Sequence, residues 1–441
     1  MLSYQAGQLS LDGVPIGHLA DRLGTPFFLF SETRLRDNYE GLSRGLAGSG
    51  LAATVRYCAK TNNEAAILSA LASWGSHVVV SHPAEAALAL RCGFRPQTIA
   101  YQRPVLDEAE IQEALAAGID FFHAYRTADL HLIDAVASRL RTTVRVSLRI
   151  QGGRSLLSPL AFLSRRLGFR AADVLAAAGI ARDSKWLRLT ALNFYLGTQR
   201  AGVSAYRVPL RAVAGFTAQI QSRLGVTLDE INVGGGIPSA SLRPAAASRL
   251  GRQPTDPSAQ HPPRRLEEFA RGLGTLFRDA VRRAGLQARP GIVVEPGRSI
   301  VGNAAILVAR VRAVRGRWIF LDASQNYLPE RLPLYARAVL PLAAPGAGGL
   351  RRYHLSGSTL NTMDVIDLWR QLPPLKEGDR LALCDAGAYS VARASRYAGL
   401  CPAVYLLASN GSVRMIRRPE TLDDLVAPMV EPARPGNPAD S

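Results

Sequence analysis

The chain has 441 residues, 47% of them hydrophobic, which is enough for a large core and a second module, and no apolar run reaches the roughly 20 residues of a membrane span. Its start, residues 1–11, lacks the charged-then-apolar layout of a secretory leader, so a soluble, cytoplasmic, two-domain protein without a membrane partner is expected. The formal net charge of +18 comes from dispersed basic residues rather than a basic stripe with aromatics, which argues against nucleic acid and for anionic substrates or an acidic protein partner.

In chain order, residues 1–30 read as short strands with a turn at Asp12-Gly13, ending in the apolar run Pro26 to Phe30. Ser31 is a candidate cap for a helix whose apolar positions Leu35, Tyr39, Leu42 and Leu46 follow helical spacing. A strand-then-helix rhythm follows. The strands are expected at Thr54–Cys58, His77–Val80, Thr98–Tyr101, Asp120–His123, Val144–Ile150, Leu189–Tyr195, Glu230–Val233 and Ile292–Val294. About eight such units imply a parallel sheet, and their length fits a closed (β/α)8 TIM barrel over 31–301.

After 302 the rhythm changes to runs such as Ala304–Val314, Trp318–Leu321 and Leu381–Asp385, split by Gly and Pro, which predict an antiparallel β domain over 302–426. The strands of 1–30 are expected to pack with it. Residues 239–265, rich in Ser, Pro, Ala and Arg, read as a long loop inside the barrel, and 427–441 as a disordered tail. The four cysteines, Cys58, Cys92, Cys384 and Cys401, contain no Cys-x-x-Cys pair, so reduced thiols and no metal site are expected.

Function in such a barrel sits at the carboxyl ends of the strands. Lys60 follows the first of them, in Tyr57-Cys58-Ala59-Lys60-Thr61-Asn62. Burial there would lower its pKa and free the amine to hold an aldehyde cofactor as a Schiff base, although a lysine snorkelling to solvent would read the same. Gly234-Gly235-Gly236 follows the seventh strand; consecutive glycines expose backbone N–H groups that can cradle a phosphate, or form an ordinary turn. Glu295-Pro296-Gly297-Arg298 follows the eighth and offers an acid to a protonated ring nitrogen, or a salt bridge to Arg298. Together they match what pyridoxal 5'-phosphate requires.

These motifs, in this order, resemble the fold-type III pyridoxal-phosphate decarboxylases of diaminopimelate, ornithine and arginine. The family's Tyr-Ala-Val-Lys-Ala-Asn reads Tyr57 to Asn62, its Glu-Pro-Gly-Arg stands as Glu295 to Arg298, its Asp-Ala-Gly-Ala-Tyr as Asp385 to Tyr389, and its Arg-Arg-x-Glu-Thr as Arg417 to Thr421. The resemblance spans about 25–425 and implies an alanine-racemase-like barrel plus a β domain. It makes Lys60 the cofactor lysine, gives the phosphate to Gly234, Gly235, Gly236, Gly297 and Arg298, sets Glu295 on the pyridine nitrogen and brings Tyr389 to the cofactor. It also implies a homodimer with shared active sites, in which late residues including Tyr389 serve the neighbour's Lys60.

The chain departs from the family where substrate is read. The ring-packing histidine is replaced by Tyr195 in Tyr195-Leu196-Gly197-Thr198-Gln199. In Gly357-Ser358-Thr359-Leu360-Asn361-Thr362-Met363-Asp364, Leu360 stands where a proton-donating cysteine is expected and Asn361 replaces the acid that meets a distal ammonium. Proton return then falls to water, Lys60, Thr359 or Tyr389. Arg331 and Tyr335, in Arg331-Leu332-Pro333-Leu334-Tyr335, approximate a carboxylate-binding element, and Asp364 completes the expected substrate pocket. The expectation is an amino-acid decarboxylase of specialised metabolism acting on a small substrate without a distal amine, or on one tethered to an acidic carrier protein. A racemase or epimerase, and an idle cofactor-binding protein, are the alternatives.

Overall fold

The computed structural model describes residues 1–151, 166–199, 202–239, 241, 243–244, 257, 265–286, 288–329, 335–346 and 348–430. Eight parallel strands close a barrel: β1 (Ala53–Cys58), β2 (His77–Val80), β3 (Ile99–Gln102), β4 (Phe121–Ala124), β5 (Val144–Arg149), β6 (Leu187–Asn193), β7 (Glu230–Asn232) and β8 (Gly291–Val294). Each strand pairs with its successor in the chain, and β8 pairs with β1 through Ile292↔Ala53, Val293↔Thr54 and Val294↔Val55. The fold class is therefore the one read from the sequence. Strands buried on both faces read as short apolar runs, and Tyr57, Tyr101 and Phe122 are among the largest fully buried side chains.

Helices Ala65–Ser73, Pro83–Arg91, Glu108–Ala116, Thr127–Leu140, Val174–Asp183, Arg207–Leu224 and Arg265–Arg283 follow the first seven strands in turn. Only the four-residue helix Arg298–Val301 follows β8. Helix Glu32–Ala47 covers that side instead, packing on Arg265–Arg283 and on β1. Ser31 caps it as expected, its Oγ accepting a hydrogen bond from the Arg34 N–H at 2.9 Å. Asn38 then ties this helix to the β8 turn by donating to the Ile300 carbonyl at 2.7 Å.

The second body is a mixed sheet built around Phe27–Ser31, which pairs antiparallel with Ala305–Arg315 and parallel with Ala403–Leu407. Trp318–Leu321 also runs parallel to Arg351–Ser356, so the expected antiparallel domain contains two parallel pairings. Strand Phe27–Ser31 is buried along its whole length, which explains its unbroken apolar sequence. The meander Leu2–Gln5, Gln8–Leu11 and Val14–Pro15 packs on this sheet, with the Leu9 N–H donating to the Leu342 carbonyl at 2.7 Å. Leu9, Leu11, Phe27, Leu29, Ile306 and Leu340 share one apolar cluster. Of the expected loop 239–265, Arg243–Pro244 pairs with Tyr335–Ala336, and most of the rest lies outside the described residues. So does the expected tail from 431 onward.

Candidate active site

The carboxyl ends of β1, β4, β5, β6, β7 and β8 bring chemically unusual side chains to one barrel mouth. Beyond β1 the chain turns through Ala59–Thr61, leaving Lys60 exposed between buried Ala59 and Thr61. Several hydrogen bonds fix this turn. The Cys58 N–H donates to the Pro296 carbonyl (3.0 Å), the Tyr57 hydroxyl to the Asn62 carbonyl (2.9 Å), and the Asn62 amide to the Gly387 carbonyl (3.0 Å). The lysine turn is thereby tied to both the Glu295–Arg298 segment and the Asp385–Tyr389 loop.

Lys60 lies above the ordinary lysine pKa, not below it as burial alone predicts. The Cys58 sulfur raises it most, and Tyr125, Glu295 and Tyr195 add to that against the desolvation that lowers it. The Cys58 thiol is itself pushed up to about 11, first by burial, with Lys60 opposing that rise. In the chain without cofactor Lys60 is therefore an ammonium, and its availability as a nucleophile depends on losing that proton.

The glycine loop allows close approach to the backbone. Gly234 and Gly236 have φ of 71° and 82°, in the left-handed region. A Cβ on Gly236 would stand 1.9 Å from the Gly197 carbonyl oxygen, and one on Gly235 would stand 2.6 Å from that of Glu295. Arg298 opens the short helix beyond β8, with its guanidinium 5.1 Å from the centre of the Tyr389 ring. Asp385 is buried beside them, and its Oδ1 accepts from Ser239 and Ser241.

Glu295 is buried, and its Oε1 accepts from Asn232 Nδ2 at 2.7 Å. The expected alternative, a salt bridge to Arg298, is not among the ion pairs of the described residues. Among the described residues the only ionisable partner within 4.0 Å is His123, whose Nε2 is 3.5 Å from the same oxygen. Burial first, then the Arg56 guanidinium, lowers the His123 pKa to about 3. The imidazole is consequently neutral, and Glu295 faces no cation there. A buried carboxylate in that state suits a protonated ring nitrogen, and the glycine loop suits a phosphate, so the residues present fit pyridoxal phosphate.

Tyr195 is half-buried just beyond β6, and the Arg149 guanidinium lies 5.5 Å from its ring centre. Arg149 also donates to Asn193 Oδ1 and has no carboxylate within ion-pair distance among the described residues. The Tyr389 N–H donates to the Thr61 carbonyl at 2.8 Å, and its hydroxyl is 3.4 Å from Thr61 Oγ1. This corrects the expectation that Tyr389 serves a neighbour's lysine: it lies against the Lys60 turn of its own chain.

The turn 357–364 stands apart from this cluster, with hydrogen bonds that run within itself, to its flanking residues Ser356 and Val365, and to 323–325. Asp364 is buried and accepts from Ser324 Oγ, the Gln325 N–H, and the N–H and hydroxyl of Thr359, the last at 2.7 Å. Its carboxylate organises the turn, and the Thr359 hydroxyl is committed to it. Leu360 is fully exposed, Asn361 is exposed, and Met363 is 52% exposed. Arg331 lies outside the described residues, and Tyr335 is placed only as a strand position pairing with Pro244.

Sequence reading missed His123, Tyr125, Arg149 and Asn232. Tyr125 is buried just beyond β4, its hydroxyl donating to Gln102 Oε1 at 3.1 Å. Arg149 and Asn232 end barrel strands, and His123 and Tyr125 flank the last residue of β4, and that position was the available signal. Below the mouth, Arg56 makes a two-pronged pair with Glu230 at 3.1 and 3.2 Å. His77 nearby is lowered to about 4, first by burial and then by Arg56.

These histidines set an acid limit on the fold. In the unfolded chain each takes a proton near pH ~6.5, whereas the folded values are about 3 and about 4, so the unfolded state binds more protons between these limits. Stability is complete above pH ~6.5 and falls as the pH drops below it. Thermal melts from pH 7.5 to 4.5 should show a falling Tm, with a shallower slope in His77→Gln.

Comparison with known proteins agrees with this geometry. Residues 39–302 match the family described as pyridoxal-dependent decarboxylase, pyridoxal binding domain. The chain is 28% identical over 436 residues to a diaminopimelate decarboxylase of Methanothermobacter thermautotrophicus, covering 97% of each protein. It is 26% identical over 427 residues to one from Neisseria meningitidis, covering 95% of this chain and 98% of that protein. The crystal structure of diaminopimelate decarboxylase from M. jannaschii superposes with a TM-score of 0.85 at 22% identity, covering 98% of each chain. A lysine decarboxylase from Selenomonas ruminantium does so at 0.71 and 22%, covering 92% of this chain and 97% of that one. At those identities the structural likeness is one of fold.

Proposed function

The chain belongs to the pyridoxal-dependent decarboxylases, carbon–carbon lyases that use pyridoxal 5'-phosphate, and on that premise we propose that it decarboxylates an amino acid whose side chain ends in a carboxylate or acyl group rather than an amine. The observation that carries this reading is the charge balance of the mouth. Arg149 has no carboxylate partner among the described residues, and in the separate turn 357–364 Asn361 stands where the resemblance expects the acid for a distal ammonium. A guanidinium without a counter-ion favours a substrate carboxylate, and a missing acid leaves a distal ammonium without a partner on binding.

When bound, the cofactor supplies the electron sink that takes the pair left by the departing carboxylate. The residues of the chain hold it and manage protons. Lys60 would supply the attachment amine, the glycine loop and Arg298 would hold the phosphate, Glu295 would accept from the ring nitrogen, and Tyr195 would pack on the ring. With leucine at 360, proton return falls to water, Lys60 or Tyr389, since the Thr359 hydroxyl is engaged by Asp364.

We read the working unit as a homodimer in which the turn 357–364 reaches the partner's barrel mouth. Exposed Leu360 and Met363 support this, because large apolar side chains at a turn tip suit a protein interface. A role in specialised metabolism rests on Leu360 and Asn361, and a carrier-tethered substrate only on the net charge of +18.

The test is CO2 release from an amino-acid panel by the holoenzyme, with optical rotation followed in parallel. Side chains ending in carboxylate or acyl groups should be turned over at least about tenfold faster than diaminopimelate, lysine or ornithine, and Asn361→Asp should narrow that ratio. A preference for diaminopimelate would overturn the substrate assignment. Stereochemical change without CO2 would overturn decarboxylation.

A further inference from the structure

His123 is fully buried on β4, and neither ring nitrogen has a hydrogen-bond partner among the described residues. Buried polar groups are nearly always satisfied, so an orphaned imidazole asks for a reason. Its surroundings give one. Nε2 is 3.5 Å from Glu295 Oε1, the same oxygen that Asn232 Nδ2 approaches at 2.7 Å from β7. Both donors converge on one carboxylate oxygen, and Oε2 accepts no hydrogen bond among the described residues. On the neighbouring strand β5, Ser147 is the register partner of His123, and its buried hydroxyl is likewise unpartnered.

We propose that His123 is a positioning residue for Glu295: its Nε2–H and the Asn232 amide hold Oε1, so that Oε2 is turned to the pyridine nitrogen of the bound cofactor. The role requires the tautomer that carries the imidazole proton on Nε2. A neutral imidazole suits this role because it donates without neutralising Glu295, leaving the full negative charge for the ring. The inference rests on the reading of Glu295 as the ring-nitrogen partner.

Three variants test it: His123→Leu, which removes the donor, His123→Asn, which keeps one, and Glu295→Gln as the reference. The readouts are apo Tm at pH 7.5, the dissociation constant for pyridoxal phosphate and the absorbance of the bound cofactor as a function of pH. His123→Leu should melt no lower than the parent, because it also removes two unsatisfied nitrogens, yet bind the cofactor about tenfold more weakly and shift the pH at which the bound chromophore changes. His123→Asn should return affinity to within about threefold of the parent. Unchanged affinity and absorbance in His123→Leu, with Glu295→Gln altered, would overturn the role of His123 alone. If Glu295→Gln is also unchanged, the reading of Glu295 fails with it. An equal loss in His123→Asn and His123→Leu would make the residue a packing element and overturn the proposal.

Discussion

Lys60→Ala is expected to abolish turnover, by at least about 10⁴-fold, and to remove the visible absorbance that the wild-type protein acquires with pyridoxal phosphate. The reasoning is local. Lys60 is the one side chain of the tightly bonded turn Ala59–Thr61 left exposed, and the bonds to Pro296, Gly387 and Tyr389 hold that turn against the other two segments of the site. Because Lys60 is raised by Cys58, Tyr125, Glu295 and Tyr195, the amine of the free protein is protonated at neutral pH. Cofactor capture should accordingly speed up as the pH rises from 7 to 9, since only the neutral amine attacks the aldehyde. Stopped-flow absorbance checks the pH dependence. Lys60→Arg keeps the charge but not the nucleophile and should fail as completely as Lys60→Ala.

Gly236→Ala should cost nearly as much by a different route. The new Cβ would lie 1.9 Å from the Gly197 carbonyl oxygen, a backbone atom that cannot swing aside, and the residue would have to keep a φ of 82°. A left-handed alanine costs roughly 1–2 kcal/mol, and relieving the collision must displace either the glycine loop or the segment bearing Tyr195. The expected result is a fall in cofactor affinity of about 100-fold or more with the barrel intact, since the loop lies beyond β7 rather than in it. Equilibrium dialysis with pyridoxal phosphate, alongside far-ultraviolet circular dichroism, separates the two. Gly285→Ala, at another positive φ of 67° but with open space around its Cβ, is the control and should bind the cofactor normally.

The barrel was legible because each strand buried on both faces is a short apolar run that stops at a polar residue. Ala53–Cys58, His77–Val80 and Glu230–Asn232 begin and end within a residue or so of expectation. Helix Val174–Asp183 was missed, since its small residues Ala176, Ala177, Ala178 and Gly179 give weak contrast between faces. The pairing of Phe27–Ser31 with Ala403–Leu407 was unreadable for another reason: strand partners nearly 400 residues apart leave no local trace, and neither does their parallel sense. Within the site, Lys60, Gly234–Gly236 and Glu295 announce themselves as residue types that a strand end does not need. His123, Asn232 and Arg149 do not, because each is an ordinary polar residue until barrel closure brings the carboxyl ends of β4, β5, β7 and β8 to one mouth. Tyr389 shows the limit of a one-dimensional reading, for a sequence does not say which copy of the chain a residue serves; the hydrogen bond to Thr61 does.

The most direct measurement is to reduce the holoenzyme with borohydride, digest it and map the pyridoxyl group by mass spectrometry. One modified peptide is expected, with the label on Lys60, and it should disappear in Lys60→Ala. A label on Lys185 or Lys376, or none on any lysine, would contradict that assignment.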